Sequence, residues 1–553
     1  MRRRRTSPHA ARGAARVIGN IGSWRVLLVT AGLVLGFTPA WAAPDSAEVA
    51  ETLRRSVEQL HSTGAVLVAG QQLRSATALP QIYASNGFQL LWRDAANEAA
   101  LLGEIAAVGG DGLHSGDYHF DALRAVLARR QQQPGDAAVA ATADLLLTDA
   151  LLRLVAHLRF GKVDPADGAP RWDLPGTLRG EPAAVFVPRI AGGSGVALQL
   201  SAMRPVQPLY GRFRSALARY RVIKQDGGWE AIPPGRSLQL DMEDARVSLL
   251  RQRLAMTGDF VGEAGESPRF ESALDAAVRR FQVRHELVAD GIVGPATLRA
   301  LNVPVEKRID QLRANLERAR WLLAEVRGHF LVIDPASSRV LLMDNSELVL
   351  AQSAAFARHA RDADEFRAEL HYLVVQPDFV LPRQLIQNQV APLARRAPEE
   401  LPARGLQVFD TTGEARDARR TDWTQADQVI VRQVPGRRSF LGQVRFPMPN
   451  PGRVFLHGGP AEGEALAGSI RLTEPIALAR ALAMLSMPST RDKLDAALAA
   501  EAPSTLPLGL AVPVLYGPWT AWVEVDGLIM FRQGYEARDD AIIAGLDRAA
   551  VEQ

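Results

Sequence analysis

The sequence predicts an α+β protein of several parts, helical in its N-terminal half and mostly β beyond it. Three observations predict this. Asp144–Phe160, DLLLTDALLRLVAHLRF, places apolar residues at helical spacing and stops at Gly161, a suitable helix C-cap. Phe270–Val303 is punctuated by Asp290-Gly291, which allows positive φ, and by Pro295, placed where a first helical turn tolerates it. Past Ile309–Trp321 the period changes, and Phe330–Ile333, Val340–Leu342, Leu348–Leu350 and Tyr372–Val375 are short runs of strand character. With 553 residues and 47% apolar content, the chain can build several domains with cores of their own.

Residues 1–42 have the form of a secretory signal peptide. Arg2–Arg5, Arg12, Arg16 and Arg25 make a cationic start, and Val26–Phe37 is an apolar run too short to span a bilayer comfortably. Ala40-Trp41-Ala42 is a small-x-small cleavage site; retention of the segment as an anchor is the other outcome open. These residues hold seven Arg and no acid, so their removal turns a formal charge of +3 into −4, with 57 basic against 61 acidic residues. The basic balance belongs to the precursor and is no argument for nucleic acid as a partner. No later stretch reads as a membrane span. An exported chain without cysteine has no disulfides, so its domains stand on their cores. The expected location is the periplasm.

Asp45–Tyr220 reads mostly helical, and His114, Asp117 and His119 within it have metal-ligand chemistry; a hydrogen-bonded helix connection is the plainer reading, and no metal or cofactor is expected. Gln225–Gly235 is a turn-rich junction, followed by an amphipathic helix at Asp244–Leu254. After the strand-like runs, Asn388–Asp427 is polar, Arg-rich and partly helical, and Val429–Arg432 and Val444–Phe446 return to strand. The charged stretch Arg361–Glu369 reads as a solvated face. Near the C-terminus, Asp526-Gly527 marks a hairpin turn.

The residues with the most chemistry lie in Val454–Leu472, VFLHGGPAEGEALAGSIRL, between RQVPGRRSFLGQVRFPMPN and TEPIALARALAML. The region resembles the active site of the large YcbB-type L,D-transpeptidases, which cross-link peptidoglycan. In that family a strand ends in a His-Asp-Thr-Pro-like turn, and a longer loop leads to Ser-His-Gly-Cys-Ile-Arg, whose cysteine accepts the acyl group. Here the turn reads His457-Gly458-Gly459-Pro460 and the segment reads Leu466-Ala467-Gly468-Ser469-Ile470-Arg471. The resemblance implies catalytic positions at Ser469, His457, Gly468 and Arg471. Further stretches resemble the same family: Ile82–Trp92, Asp111–His119 and Phe160–Pro165 its helical scaffold, Phe270–Val303 its three-helix peptidoglycan-binding module, and Leu508–Asp539 its C-terminal part. The implied division is a scaffold over 43–235, the binding module over 236–304, a linking helix over 305–328, a mostly β, YkuD-like L,D-transpeptidase domain over 329–495 with a cap near 388–427, and a C-terminal β-hairpin segment over 496–553.

Acyl transfer needs a nucleophile, a base, oxyanion donors and exclusion of water. Against the family pattern the cysteine is Ser469, the second histidine is Ala467, the serine before it is Leu466, and His457 stands only 12 residues before Ser469. A serine hydroxyl, unlike a thiol, requires an oriented base. The leading expectation is therefore a catalytically degenerate protein that binds peptidoglycan, both stem peptides and glycan, with other envelope proteins as further candidate partners. The alternative is a serine-based acyl transferase or stem-peptide hydrolase using Ser469 and His457.

Overall fold

The computed structural model describes residues 44–172, 177–178, 181–263, 265–345, 347–436, 438–459, 466–500 and 502–549. The expected signal peptide at 1–42, Arg437 and Pro460 lie outside them. Residues 43–553 form one compact unit.

The helical half is organised on Ala137–Phe160. Asp136 caps its first turn by accepting from the Val139 amide, and Gly161 ends it with φ +87°. Nearly every side chain from Leu145 to Leu158 is buried, so the helix runs through the middle of its surroundings instead of lying on them. Its buried carboxylates find partners inside the protein. Asp144 accepts from the amides of Leu91 and Trp92 and from the Tyr83 hydroxyl, and Asp149 pairs with Arg153 at 2.7 Å. His114, Asp117 and His119 take separate partners: Asp547 at 2.9 Å, Lys162 at 2.7 Å and Asp149 at 2.8 Å. Among the described residues no group of three or more His, Asp or Glu converges as a metal site.

Arg246–Met256, Ser272–Arg284 and Pro295–Leu301 are three helices around a small core of Leu250, Leu254, Leu274, Phe281 and Leu301. The amide of Gly291 (φ +75°) donates to Gln282, and a Cβ there would come within 2.0 Å of Asp275 Oδ1. Glycine is thus required by conformation and by space.

Val305–Leu323 is a helix buried along almost its whole length between the helical half and the β part. Arg318 on it bonds Glu365 at 3.0 Å and Asp539 at 2.5 Å, all three side chains being largely buried. Glu365 is therefore not part of a solvated face, as its charged neighbours suggest, because a buried guanidinium from a distant helix reaches it.

Eight strands close into a barrel in the order Val444–Phe446, Phe455–His457, Ser469–Leu472, Glu347–Phe356, Arg339–Asp344, His329–Asp334, Ser504–Tyr516 and Phe366–Val375, which pairs back on the first. Ser504–Tyr516 is a barrel strand, not part of a separate C-terminal segment: Leu506, Leu508, Val512 and Val514 point into the barrel core. The hairpin at Asp526-Gly527 forms between Ala521–Val523 and Ile529–Phe531. Over one outer face of the barrel sits a cap, a three-stranded sheet of Leu406–Asp410, Val429–Gln433 and Phe379–Val380 with short helices. Val429–Gln433 belongs to this cap sheet and Val444–Phe446 to the barrel.

Candidate functional site

Three barrel strands carry the site. Phe455–His457 runs parallel to Ser469–Leu472, with Phe455 opposite Ser469 and His457 opposite Arg471; on its other side Arg445 stands opposite His457. Because side chains alternate along a strand, Arg445, Phe455, His457, Ser469 and Arg471 share the outer face under the cap. The alternate residues Val444, Phe446, Leu456, Ile470 and Leu472 fill the barrel core. The fold thus brings His457, Ser469 and Arg471 together on neighbouring strands, and Gly468 supplies the turn into the second one. Gly468 has φ +77°, and a Cβ on it would meet the Arg453 carbonyl at 2.6 Å.

His457 is 4% exposed, and its Nδ1 accepts a hydrogen bond from the Gly459 amide at 3.1 Å. Gly459 can come this close only as glycine, since a Cβ would lie 1.9 Å from the Phe440 carbonyl oxygen. Burial lowers the imidazole pKa to about 4, Arg471 and Arg445 push in the same direction, and the carbonyls of Leu441 and Phe440 oppose them weakly. The ring is therefore neutral near pH 7. Nε2 is buried and has no hydrogen-bond partner among the described residues.

Ser469 is 2% exposed, and no hydrogen bond joins it to His457 among the described residues. Its amide donates to the Leu466 carbonyl at 2.9 Å and its carbonyl accepts from Ala357 at 3.0 Å. The Gly458 amide is held by the carbonyls of Leu441 and Val444. The amides of Gly458, Gly459 and Ser469 are thus all engaged. On His457, Nδ1 is likewise engaged by the Gly459 amide.

Leu466, which stands where the family has serine, is 8% exposed and belongs to the apolar core of the cap with Leu381, Leu385 and Leu441. Phe455 packs against that core from the barrel side, its ring 5.5 Å from His457. Phe455 and Arg445 are site residues that motif matching does not pick out. The alternation in VRF and FLH was the available signal, because it puts them on the face of His457.

A model for a scaffold domain matches residues 77–217, and one described as "Putative peptidoglycan binding domain" matches residues 243–301. A Haemophilus influenzae protein named "Putative L,D-transpeptidase" is 26% identical over 235 residues, 40% of this chain and 47% of that protein. The chain thus spans about half the length of this curated relative. Among solved structures, an L,D-transpeptidase of Xylanimonas cellulosilytica is 15% identical, covering 52% of this chain and 99% of that one with a TM-score of 0.16. An L,D-transpeptidase of Stackebrandtia nassauensis is 12% identical, covering 51% and 98%, with a TM-score of 0.20.

The class is a scaffold domain, a peptidoglycan-binding domain and a capped β unit carried on one chain. This combination fits the architecture of the large, YcbB-type L,D-transpeptidases.

Proposed function

We propose that this protein acts in the cell envelope by binding peptidoglycan and holding it without acyl transfer. The division of labour would follow the boundaries read from the sequence, the module over 236–304 contacting the wall polymer and the capped domain over 329–495 contributing a non-covalent site. Export by the segment at 1–42 to the periplasm belongs to the same reading. No described helix is long and apolar enough to cross a membrane.

The observation that carries the proposal is the state of His457. A general base must offer a lone pair to the nucleophile, and here Nδ1 meets the Gly459 amide and no hydrogen bond joins the ring to Ser469 among the described residues. The engaged amide of Ser469 supports the same conclusion.

The test incubates the mature protein and a Ser469→Ala variant with isolated sacculi, then reads the muropeptides by mass spectrometry and the bound protein by pelleting. Unchanged muropeptides with both proteins pelleting are expected. New 3→3 cross-links or trimmed stems that disappear with Ser469→Ala would establish a serine enzyme instead. Failure to pellet would remove the binding role.

A further inference from the structure

Between cap and barrel lies a cavity of about 150 Å³, lined by Phe379, Pro382, Leu385, Phe455, Leu466 and Ala467. Its wall is mainly apolar. Two of the lining residues, Leu466 and Ala467, occupy the positions where the family pattern has serine and histidine, so the change that removes polar groups from the acyl-transfer site also lines this space with hydrocarbon.

The volume is that of one phenyl or branched aliphatic group. A positive charge lies near one lining residue. Arg445 is exposed and holds its guanidinium 5.9 Å from the centroid of the Phe455 ring, which lines the cavity. Among the described residues Arg445 has no carboxylate partner, whereas Asp378, adjacent to Phe379, is already paired with Arg432. His457, two residues along the strand from Phe455, is neutral near pH 7 and adds no charge there. A group that fills this space should therefore be apolar, with an anion beside it. A sugar suits it poorly, because among the described residues Gln384 is the single polar side chain in the lining and a buried hydroxyl needs partners.

We propose that this cavity is a socket for one bulky apolar side chain of a peptide that carries a carboxylate next to it, the carboxylate meeting Arg445. The proposal rests on the reading of the site as a non-covalent one, and it adds what the site takes: an acidic peptide with an aromatic or branched anchor. Leu466 and Phe455 line it together with Ala467, whose side chain is exposed.

Calorimetric titration of the full chain with acetyl-Asp-Phe-amide, acetyl-Asp-Ala-amide, acetyl-Lys-Phe-amide and indole tests it. The Asp-Phe probe should bind saturably, and removing the ring should weaken binding at least tenfold, since a buried phenyl group contributes about 2 kcal/mol or more. Reversing the charge should weaken it severalfold. Ala467→Phe, which adds a ring at an exposed lining position, should abolish binding. Arg445→Gln should make the Asp-Phe and Lys-Phe probes equivalent, and this second variant does not depend on the first one folding. No saturation by Asp-Phe at millimolar concentration, equal binding of the Phe and Ala probes, or binding undiminished by Ala467→Phe overturns the socket. Indole binding as tightly as Asp-Phe overturns its assignment to a peptide. Sacculus pelleting of the same preparations separates the two readings: pelleting without probe binding removes the socket alone, and loss of pelleting removes the role in wall binding.

Discussion

His457 is held by a hydrogen bond that only a glycine two residues on can make, and its protonation is coupled to the fold. Its folded pKa is lowered to about 4 from an ordinary 6.5, so the unfolded chain binds more protons between those values. The stability this group contributes is complete above about pH 6.5 and declines as the pH falls toward 4, by roughly 2–3 kcal/mol at about pH 4.5. His457→Gln should remove that slope. Denaturant unfolding near pH 7 and near pH 4.5 should show the parent losing roughly 2–3 kcal/mol more than the variant. Equal losses would mean that the imidazole is not buried as a neutral ring. At this scale the sequence was legible in part. The identities of His457, Ser469 and Arg471, and their adjacency, follow from the strand-turn-strand pattern. The contact between Nδ1 and the Gly459 amide does not, because it depends on how closely Phe440 approaches. Nor does the sequence show that the amide of Ser469 is bound to Leu466.

Among the elements, the buried helix Val305–Leu323 decides how the β part sits. Arg318 joins it to Glu365, just before the strand Phe366–Val375, and to Asp539, in the C-terminal helix Glu536–Asp547. Thr520 donates a further bond to Asp539 at 2.7 Å, and Asn315 donates to Thr520 at 2.7 Å. Removing the cation alone leaves two carboxylates buried without it. Arg318→Met should therefore cost about 3–5 kcal/mol, and adding Asp539→Asn should recover part of the loss, as thermal unfolding of the single and double variants would show. A loss below about 1 kcal/mol for Arg318→Met would mean that water reaches these carboxylates. Elements with local signals were the readable ones. The Asp526-Gly527 hairpin and the helix ending at Gly161 are written in a few consecutive residues. Glu365 was not readable, because its partner lies 47 residues away. The closure of the barrel by Ser504–Tyr516 has the same origin: its parallel pairing with His329–Asp334 joins strands far apart in the chain, and no local pattern encodes it.

For the whole molecule, the question is whether the three-helix module can move independently of the barrel. Its last long helix ends against the C-terminal hairpin. The ring of His285 stacks on Phe281 at 4.0 Å and on Phe531 at 5.7 Å, and Arg308 lies 4.5 Å over Phe531. Arg284, paired with Asp259, donates to the Ile529 carbonyl, and Arg532 pairs with Glu286 at 2.7 Å. His285 is uncharged here, since burial and the neighbouring arginines push its pKa well below the ordinary value. The ring therefore stacks as a flat aromatic surface between two phenyl groups. Such a junction fixes the module against the barrel, so a ligand held by one is presented to the other at a set distance. Phe531 is 1% exposed, and Phe531→Ala should cost about 3–5 kcal/mol, concentrated at this junction. In hydrogen exchange the parent should protect Ser272–Arg284 to the same degree as Ala521–Val523. The variant should exchange faster in the module while the barrel strands Arg339–Asp344 and Phe366–Val375 keep their protection. Uniform acceleration across module and barrel would show instead that the two unfold only together, with Phe531 in a core common to both.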